Sequence, residues 1–320
     1  MSARAPDDGS VAGVNKRQWT IRPFDPAQDR PGVQKLWAGV CSFDGSVPTR
    51  TAAEIDARLK HPAHESGAHW RVVVAGNGAI VGALEVGFIG SVRTEVMFAV
   101  NPAWRRQGVG RALLQAAPRD RRLLVTSRQG VTGAAELLTS EGFTERYREA
   151  RMRRKSKGLD LLELPDGAVV SVDIERDVAR CLAALAAVFG DDAEQDAGLV
   201  NAWLRRPDSR VLYLKVGGKD VGICIIAGNE HAKKSERKQD GAANIGVVEH
   251  VGLAKQVRGQ GMSRPLVRAG LVELAKMGFP DIEVLADRRR ASAAELYEAE
   301  GFAVVDDEIH WIKREPWAKE

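Results

Sequence analysis

Apolar residues fall into two rhythms along this chain: short β-branched runs of strand length, and longer stretches in which they recur every three or four positions. Read from the N-terminus, the pattern predicts a strand over Trp19 to Phe24 and helices over Arg30 to Val40 and Thr51 to Leu59. WRVVVAGNGAIVGALEVGFIG, Trp70 to Gly90, is two apolar runs about a glycine-rich turn, a hairpin signature. A strand over Thr94 to Val100, a helix over Gly108 to Ala117, a strand over Leu123 to Ser127, a helix over Gly133 to Ser140 and a strand over Glu145 to Met152 complete the first half. The same order recurs from Leu159 to Lys313, with RVLYLKVGGKDVGICIIAG, Arg210 to Gly228, as the second hairpin.

The recurrence extends to individual residues. VNPAWRRQGVGRALL and LAKQVRGQGMSRPLV align with Arg105 on Arg258, Gly108 on Gly261 and Gly110 on Ser263, an offset of 153 residues. GAAELLTSEGF, ending at Phe143, aligns with SAAELYEAEGF, ending at Phe302, an offset of 159. The added residues lie in the helix between these blocks. Pro118 cannot continue a helix interior and stops the first copy at about Ala117, whereas the second runs on to a glycine stop at Gly278. The chain is expected to be one α/β unit used twice: a mobile polar tail over 1–17, a first unit over 18–155 and a second over 156–320. The basic run RMRRKSKG, Arg151 to Gly158, reads as the exposed linker.

Length and composition agree with two folded units. The 320 residues are 44% hydrophobic and 28% charged, enough for a core in each half. A net charge of +4 over that length is too dilute for a nucleic-acid surface, and RMRRKSKG and KKSERK lack interleaved aromatics. Cys41, Cys181 and Cys224 form no C-x-x-C pair and do not cluster with histidine, which fits a reducing cytoplasm and no structural zinc. No run of 18 apolar residues exists to cross a membrane as a helix. The loose His61, His64, His69 trio has no consistent spacing for a metal site, and the polar stretch from His231 to Ala242 reads as a solvated loop.

Candidate chemistry sits at the glycine-rich turn. A strand ending at Val100, the turn RRQGVG and the helix RALLQAA gather unpaired backbone N–H groups around one small volume, an anion-binding arrangement. Gly108 and Gly110 let a phosphate approach the backbone, and Arg105 and Arg106 add positive charge. Strand, V-x-P-x-x-R-x-x-G-x-G, helix, then A-x-x-L-Y-x-x-x-G-F resembles the GNAT superfamily of acyl-CoA-dependent N-acyltransferases. The first copy matches at Val100, Pro102, Arg105, Gly108 and Gly110; the second, Gln256 to Gly261, matches the form of the motif that begins with glutamine. Leu253, Lys255 and Ser263 depart from it.

The resemblance implies two tandem domains, each a mixed, mostly antiparallel central sheet flanked by helices. It implies acetyl-CoA as acyl donor, no metal, and as acceptor a primary amine of a small molecule or a protein, the small molecule being the first choice. The coenzyme would be held by Val100, Arg105, Arg106, Gln107, Gly108, Val109, Gly110 and Arg111 in the first copy. In the second it would be held by Leu253, Arg258, Gly259, Gln260, Gly261, Met262 and Ser263. Transfer would be direct, with a backbone N–H near Val100 or Leu253 as oxyanion donor.

The resemblance further implies a tyrosine as general acid, and only the second copy has it: Tyr297 stands where the first has Leu138. Tyr297 could equally be a packing aromatic. For the base, strict alternation puts Glu249, Val251 and Leu253 on one strand face and His250 on the other, so Glu249 is first choice and His250 second. In the first copy Glu95 is out of phase with Val100 and Glu85 is one strand earlier. The second copy is therefore expected to be catalytic and the first mainly structural or CoA-binding, within one chain that can act as a monomer. The alternative is a non-catalytic acyl-CoA sensor or scaffold made of two degenerate copies. Trp311 and Trp317 are expected to join the halves.

Overall fold

A computed structural model of the chain describes residues 18–44, 52–89, 92–175, 177–190, 204, 208–228 and 244–314. The tail over 1–17, the loop from His231 to Ala242 and Trp317 lie outside these residues. The first repeat runs β1 (Trp19–Pro23), α1 (Arg30–Phe43), α2 (Ala52–Lys60), β2 (Arg71–Ala75), β3 (Ile80–Ile89), β4 (Arg93–Val100), α3 (Val109–Gln115), β5 (Arg122–Arg128), α4 (Ala134–Ser140) and β6 (Thr144–Lys155). The second runs β7 (Ala168–Asp173), α5 (Val178–Phe189), β8 (Ser209–Val216), β9 (Lys219–Gly228), β10 (Ile245–Leu253), α6 (Ser263–Lys276), β11 (Asp281–Asp287), α7 (Ala291–Ala299) and β12 (Ala303–Lys313). The contrast in helix length has the expected cause: α3 stops ahead of Pro118, and α6 continues to Gly278, which takes φ 89°.

All twelve strands form one mixed, mostly antiparallel sheet in the order β1-β2-β3-β4-β5-β12-β6-β11-β10-β9-β8-β7. The order is the same read from either end once each strand is replaced by its counterpart. The parallel pairs are β4 with β5 and β10 with β11. The repeats exchange their last strands: β12 pairs with β5, and β6 pairs with β11. Where β6 and β12 meet, Glu149 lies opposite Glu308, and these are the same position of the two repeats, each six residues past its E-G-F. Equivalent residues facing each other on antiparallel strands place a local two-fold axis through this pair.

The cores show the same exchange. Ile309 and Trp311 of β12 are buried among Leu123, Val125, Leu138 and Phe143 of the first repeat, and the Trp311 indole N–H donates to Ser127 Oγ at 2.9 Å. Ala150 and Met152 of β6 are buried among Val284, Ala286 and Phe302 of the second. Trp311 thus joins the halves as expected. The first five residues of RMRRKSKG, by contrast, are no exposed linker but the end of β6, and only Ser156 to Gly158 lie beyond the strand. Arg151 is 5% exposed in the sheet centre, bonded to Asp306 (Nε to Oδ1, 2.6 Å) and Glu283 (3.1 Å), and Arg153 reaches Glu283 at 2.7 Å. Carboxylates on β11 and β12, 132 and 155 residues further along the chain, compensate this arginine, which a local reading of composition cannot anticipate. No helix among the described residues is long and apolar enough to cross a membrane.

Candidate active site

In each repeat a parallel strand pair opens into a fork. β4 and β5 pair only at Arg93 with Arg122, Thr94 with Leu123 and Glu95 with Leu124, and then diverge. The opening is a cleft of about 740 Å³, walled by β4 from Glu95 to Val100, by Val125 to Arg128 of β5, and by Trp37 and Cys41 of α1. The glycine turn closes one end. Gly108 takes φ 81°, Arg106 φ 62° and Gly133, at the start of α4, φ 80°, so both short helices begin from left-handed residues with their first N–H groups unpaired within the helix. Gly110 is needed for packing: a Cβ there would stand 2.8 Å from Leu137 Cδ2.

The turn residues divide by role. The Arg105 guanidinium donates to the Val100 carbonyl (3.3 Å) and, bidentately, to Asp44 at the end of α1 (2.9 and 2.7 Å). Arg258 repeats this at the other turn, with Nε on the Leu253 carbonyl (2.8 Å) and Nη2 on the Val188 carbonyl near the end of α5 (3.1 Å). Each arginine ties a strand end and a helix end to its turn. Gln107 Nε2 donates to Ala103 O and Gln260 Nε2 to Gln256 O, the same bond in both copies, and the Trp19 indole donates to Gln107 O. Arg111 pairs with Glu141 at 2.6 Å, as Arg264 does with Glu300 at 2.7 Å. Arg106, Gly108, Gly110 and Arg111 line the cleft, while Val109 is buried beneath it.

At the second fork, β10 and β11 pair from Ile245 with Asp281 to Val248 with Val284. The β9–β10 ladder slips between Val248 and His250, so Glu249 is the extra residue of a β-bulge, sited where the strands part. β3 and β4 pair without a slip. From the first parallel pair to the strand end β4 has 8 residues, Arg93–Val100, and β10 has 9, Ile245–Leu253, and the extra residue is Glu249. The bulge corrects the strict alternation expected here: Glu249 and Val251 are not held on one face by a period of two. His250 lies beside Phe189 of α5, ring centroids 6.1 Å apart. Gly252 admits α5 closely, since a Cβ there would meet Val188 Cγ1 at 2.4 Å. Gly259 and Gly261 take φ 77° and 76°, with open space around their Cα atoms, and Met262 is buried at the start of α6, whose first residue is Ser263.

Tyr297 of α7 is 5% exposed, its ring edge-on to Phe302 at 5.7 Å, and burial raises its phenol pKa well above the usual value. Leu138, its counterpart, is fully buried. Two of the three histidines, His64 and His69, have protein partners. The His64 Nδ1–H donates to Val86 O at 2.8 Å, and burial holds the ring pKa down to about 4, while His69 pairs with Glu65. One group escaped the sequence reading. Glu308, from the second repeat's last strand, lines the first repeat's cleft. Burial raises its pKa; His310 and Arg151 pull it down, Glu149 and Glu283 push it up, and it stays above the usual carboxylate value.

A parallel pair that forks beside a glycine turn at a helix start occurs in both repeats, the arrangement expected from the resemblance to acyl-CoA-dependent acyltransferases. Residues 67–145 match the acetyltransferase (GNAT) domain family. Mycothiol acetyltransferase of Geodermatophilus obscurus is 28% identical over 302 residues, 90% of this chain and 95% of that protein. Mycothiol acetyltransferase of Thermobispora bispora is 31% identical over 220 residues, 63% of this chain and 70% of that one. The chain belongs to the GNAT superfamily of acyl-CoA-dependent N-acyltransferases and is an acetyltransferase of that class, whose donor is acetyl-CoA. Its fold is shared with a GCN5-related N-acetyltransferase from Sphaerobacter thermophilus (TM-score 0.72, 20% identity, 92% of this chain and 95% of that one). It is shared equally with a tandem GNAT protein from the clavulanic acid biosynthesis pathway (TM-score 0.71, 16% identity, 92% and 98%).

Proposed function

We propose that the second fork carries the main acetyl transfer, from acetyl-CoA to the primary amine of a small molecule, and that the acceptor is mycothiol lacking its acetyl group. The observation that supports this most is the one-residue difference between the repeats: β10 has the bulge and β4 does not, and the bulged residue is a carboxylate at the mouth of the fork. Glu249 removes the proton from the ammonium, directly or through a water. The backbone N–H near Leu253 receives the carbonyl oxygen as it gains charge. Tyr297, which its burial keeps protonated at neutral pH, gives its proton to the departing thiolate. Gly259, Gln260, Gly261 and Ser263 hold the pyrophosphate on the N–H groups of the turn and the first turn of α6. The first cleft holds acyl-CoA through Arg106, Gly108 and Gly110. Arg105 and Arg258 act as structural ties of their turns.

The acceptor assignment is supported by the relatives named mycothiol acetyltransferase, of which that of Geodermatophilus obscurus matches 90% of this chain. CoA thiol release should be measured with mycothiol lacking its acetyl group beside glucosamine, lysine and spermidine. A specificity constant for the first that exceeds the others by about 10²-fold or more is expected. A larger constant for any other amine contradicts the acceptor assignment.

A further inference from the structure

The first cleft has two chemically distinct ends. At one, the turn from Arg106 to Gly110 presents backbone donors suited to an anion. At the other, Glu95 of β4 and Glu308 of β12 enter from opposite sides of β5. The cations near Glu308 are engaged with other carboxylates. Arg128 of β5 bonds Asp306 of β12, and Arg151 of β6 bonds Asp306 and Glu283. His310 of β12 turns Nε2 to Glu149 Oε2 at 2.8 Å and Nδ1 to Thr126 Oγ1 at 3.2 Å, with Tyr147 stacked on its ring at 4.2 Å. Glu308 makes no ion pair or hydrogen bond among the described residues. It lies between Glu149 of β6 on one side and Arg128 of β5 on the other, and the like charges of Glu149 and Glu283 are opposed by His310 and Arg151. The end of the cleft away from the turn thus carries two carboxylates, and the cations nearest Glu308 are committed to Asp306, Glu283 and Glu149, which leaves Glu308 to receive a cation from solution.

We propose that the first cleft is a second acetyl-transfer site for a primary amine, in which Glu308, carried in on the other repeat's last strand, receives the ammonium and takes its proton. This rests on acetyl-CoA as donor and is independent of which fork carries the main turnover. The ammonium gives one proton to the Glu308 carboxylate. The freed amine lone pair forms the C–N bond at the thioester carbonyl and the C–S bond breaks. The second proton lost by the nitrogen reaches the thiolate through solvent, and Glu308 returns its own proton to bulk water. Ammonium and acetyl-CoA thus become amide, CoA thiol and one released proton. Leu138 supplies no proton to the thiolate, so this site is the slower of the two. Its base comes from the second repeat and its turn from the first, so neither repeat holds it alone.

The test uses the full chain carrying Glu249→Gln and Tyr297→Phe, with acetyl-CoA and glucosamine or n-butylamine as probes and CoA thiol release as readout. A slow amine-dependent release is expected to remain, to fall roughly tenfold or more when Glu308→Gln is added, and to return in part with Glu308→Asp. It should also decline as pH falls through the raised range of the Glu308 carboxyl. Absence of amine-dependent release in the double variant overturns the proposal. So does a residual rate unchanged by Glu308→Gln in protein shown to be folded by circular dichroism. If Glu308→Gln does not fold, Glu308→Asp decides by the same criterion, with an unchanged rate and pH profile overturning the proposal. Full activity in the double variant, abolished by Glu308→Gln, would support this site while overturning the assignment of the main reaction to the second fork.

Discussion

Gly110 and Glu308 show how single residues set what the first cleft can be. A side chain at 110 must displace Leu137, which packs α4 against the turn, so Gly110→Val should cost about 1–3 kcal/mol by overpacking, read as a lowered Tm. Glu308 works in the opposite sense. Its folded pKa is raised above the unfolded value, so the folded state binds the proton more tightly and loses stability as pH rises from the ordinary carboxylate range through the raised pKa. Glu308→Gln should therefore raise Tm at pH 7.5, with the gain shrinking as pH approaches about 4.3, the unperturbed glutamate value. A variant less stable than the parent at pH 7.5 would show that the carboxylate is compensated after all. Gly108 was legible in the sequence because Gly261 repeats it in matching context, and Gly110 because it completes the G-x-G of the same turn. Glu308 was not, because it lies 200 residues from Gly108 and reaches the cleft only by strand exchange. A signal was nonetheless present: Glu149 and Glu308 occupy the same place after Phe143 and Phe302.

At the scale of elements, β4 and β10 are the same strand except for one residue. The strands, helices and hairpins of both repeats were readable from periodicity and from Gly and Pro, down to the early stop of α3. The bulge was not, because a period of two has no term for an inserted residue, and a slip of one changes the face of every position beyond it. Deleting Glu249 should convert β10 to the register of β4. The expected outcome is a folded chain with a retained acetyl-CoA thermal shift from the first cleft, and acetyl transfer reduced by about 10²-fold or more. Transfer at the parent rate in the deletion variant would remove the bulge from the mechanism.

For the whole molecule, the decisive feature is the pairing of β6 and β12 about the local two-fold axis. Two repeats joined by a linker would melt separately. Two repeats that have traded strands share both cores, since Trp311 completes one and Met152 the other. Calorimetry should give a single unfolding transition, and two resolved transitions would contradict this arrangement. The duplication was plain in the sequence. The exchange was hidden because Arg151 and Arg153, read locally, look like exposed charge, while their partners Asp306 and Glu283 lie more than a hundred residues away. The exchange also places Glu149 and Glu308 against each other at the midpoint between the two forks. The most direct test compares Tyr297→Phe with Gly108→Glu, each in the full chain, for acetyl transfer to mycothiol lacking its acetyl group. The account predicts a loss of about 10²-fold or more with Tyr297→Phe and most of the activity kept with Gly108→Glu. Full loss with Gly108→Glu alone would place the main reaction in the first cleft and contradict it.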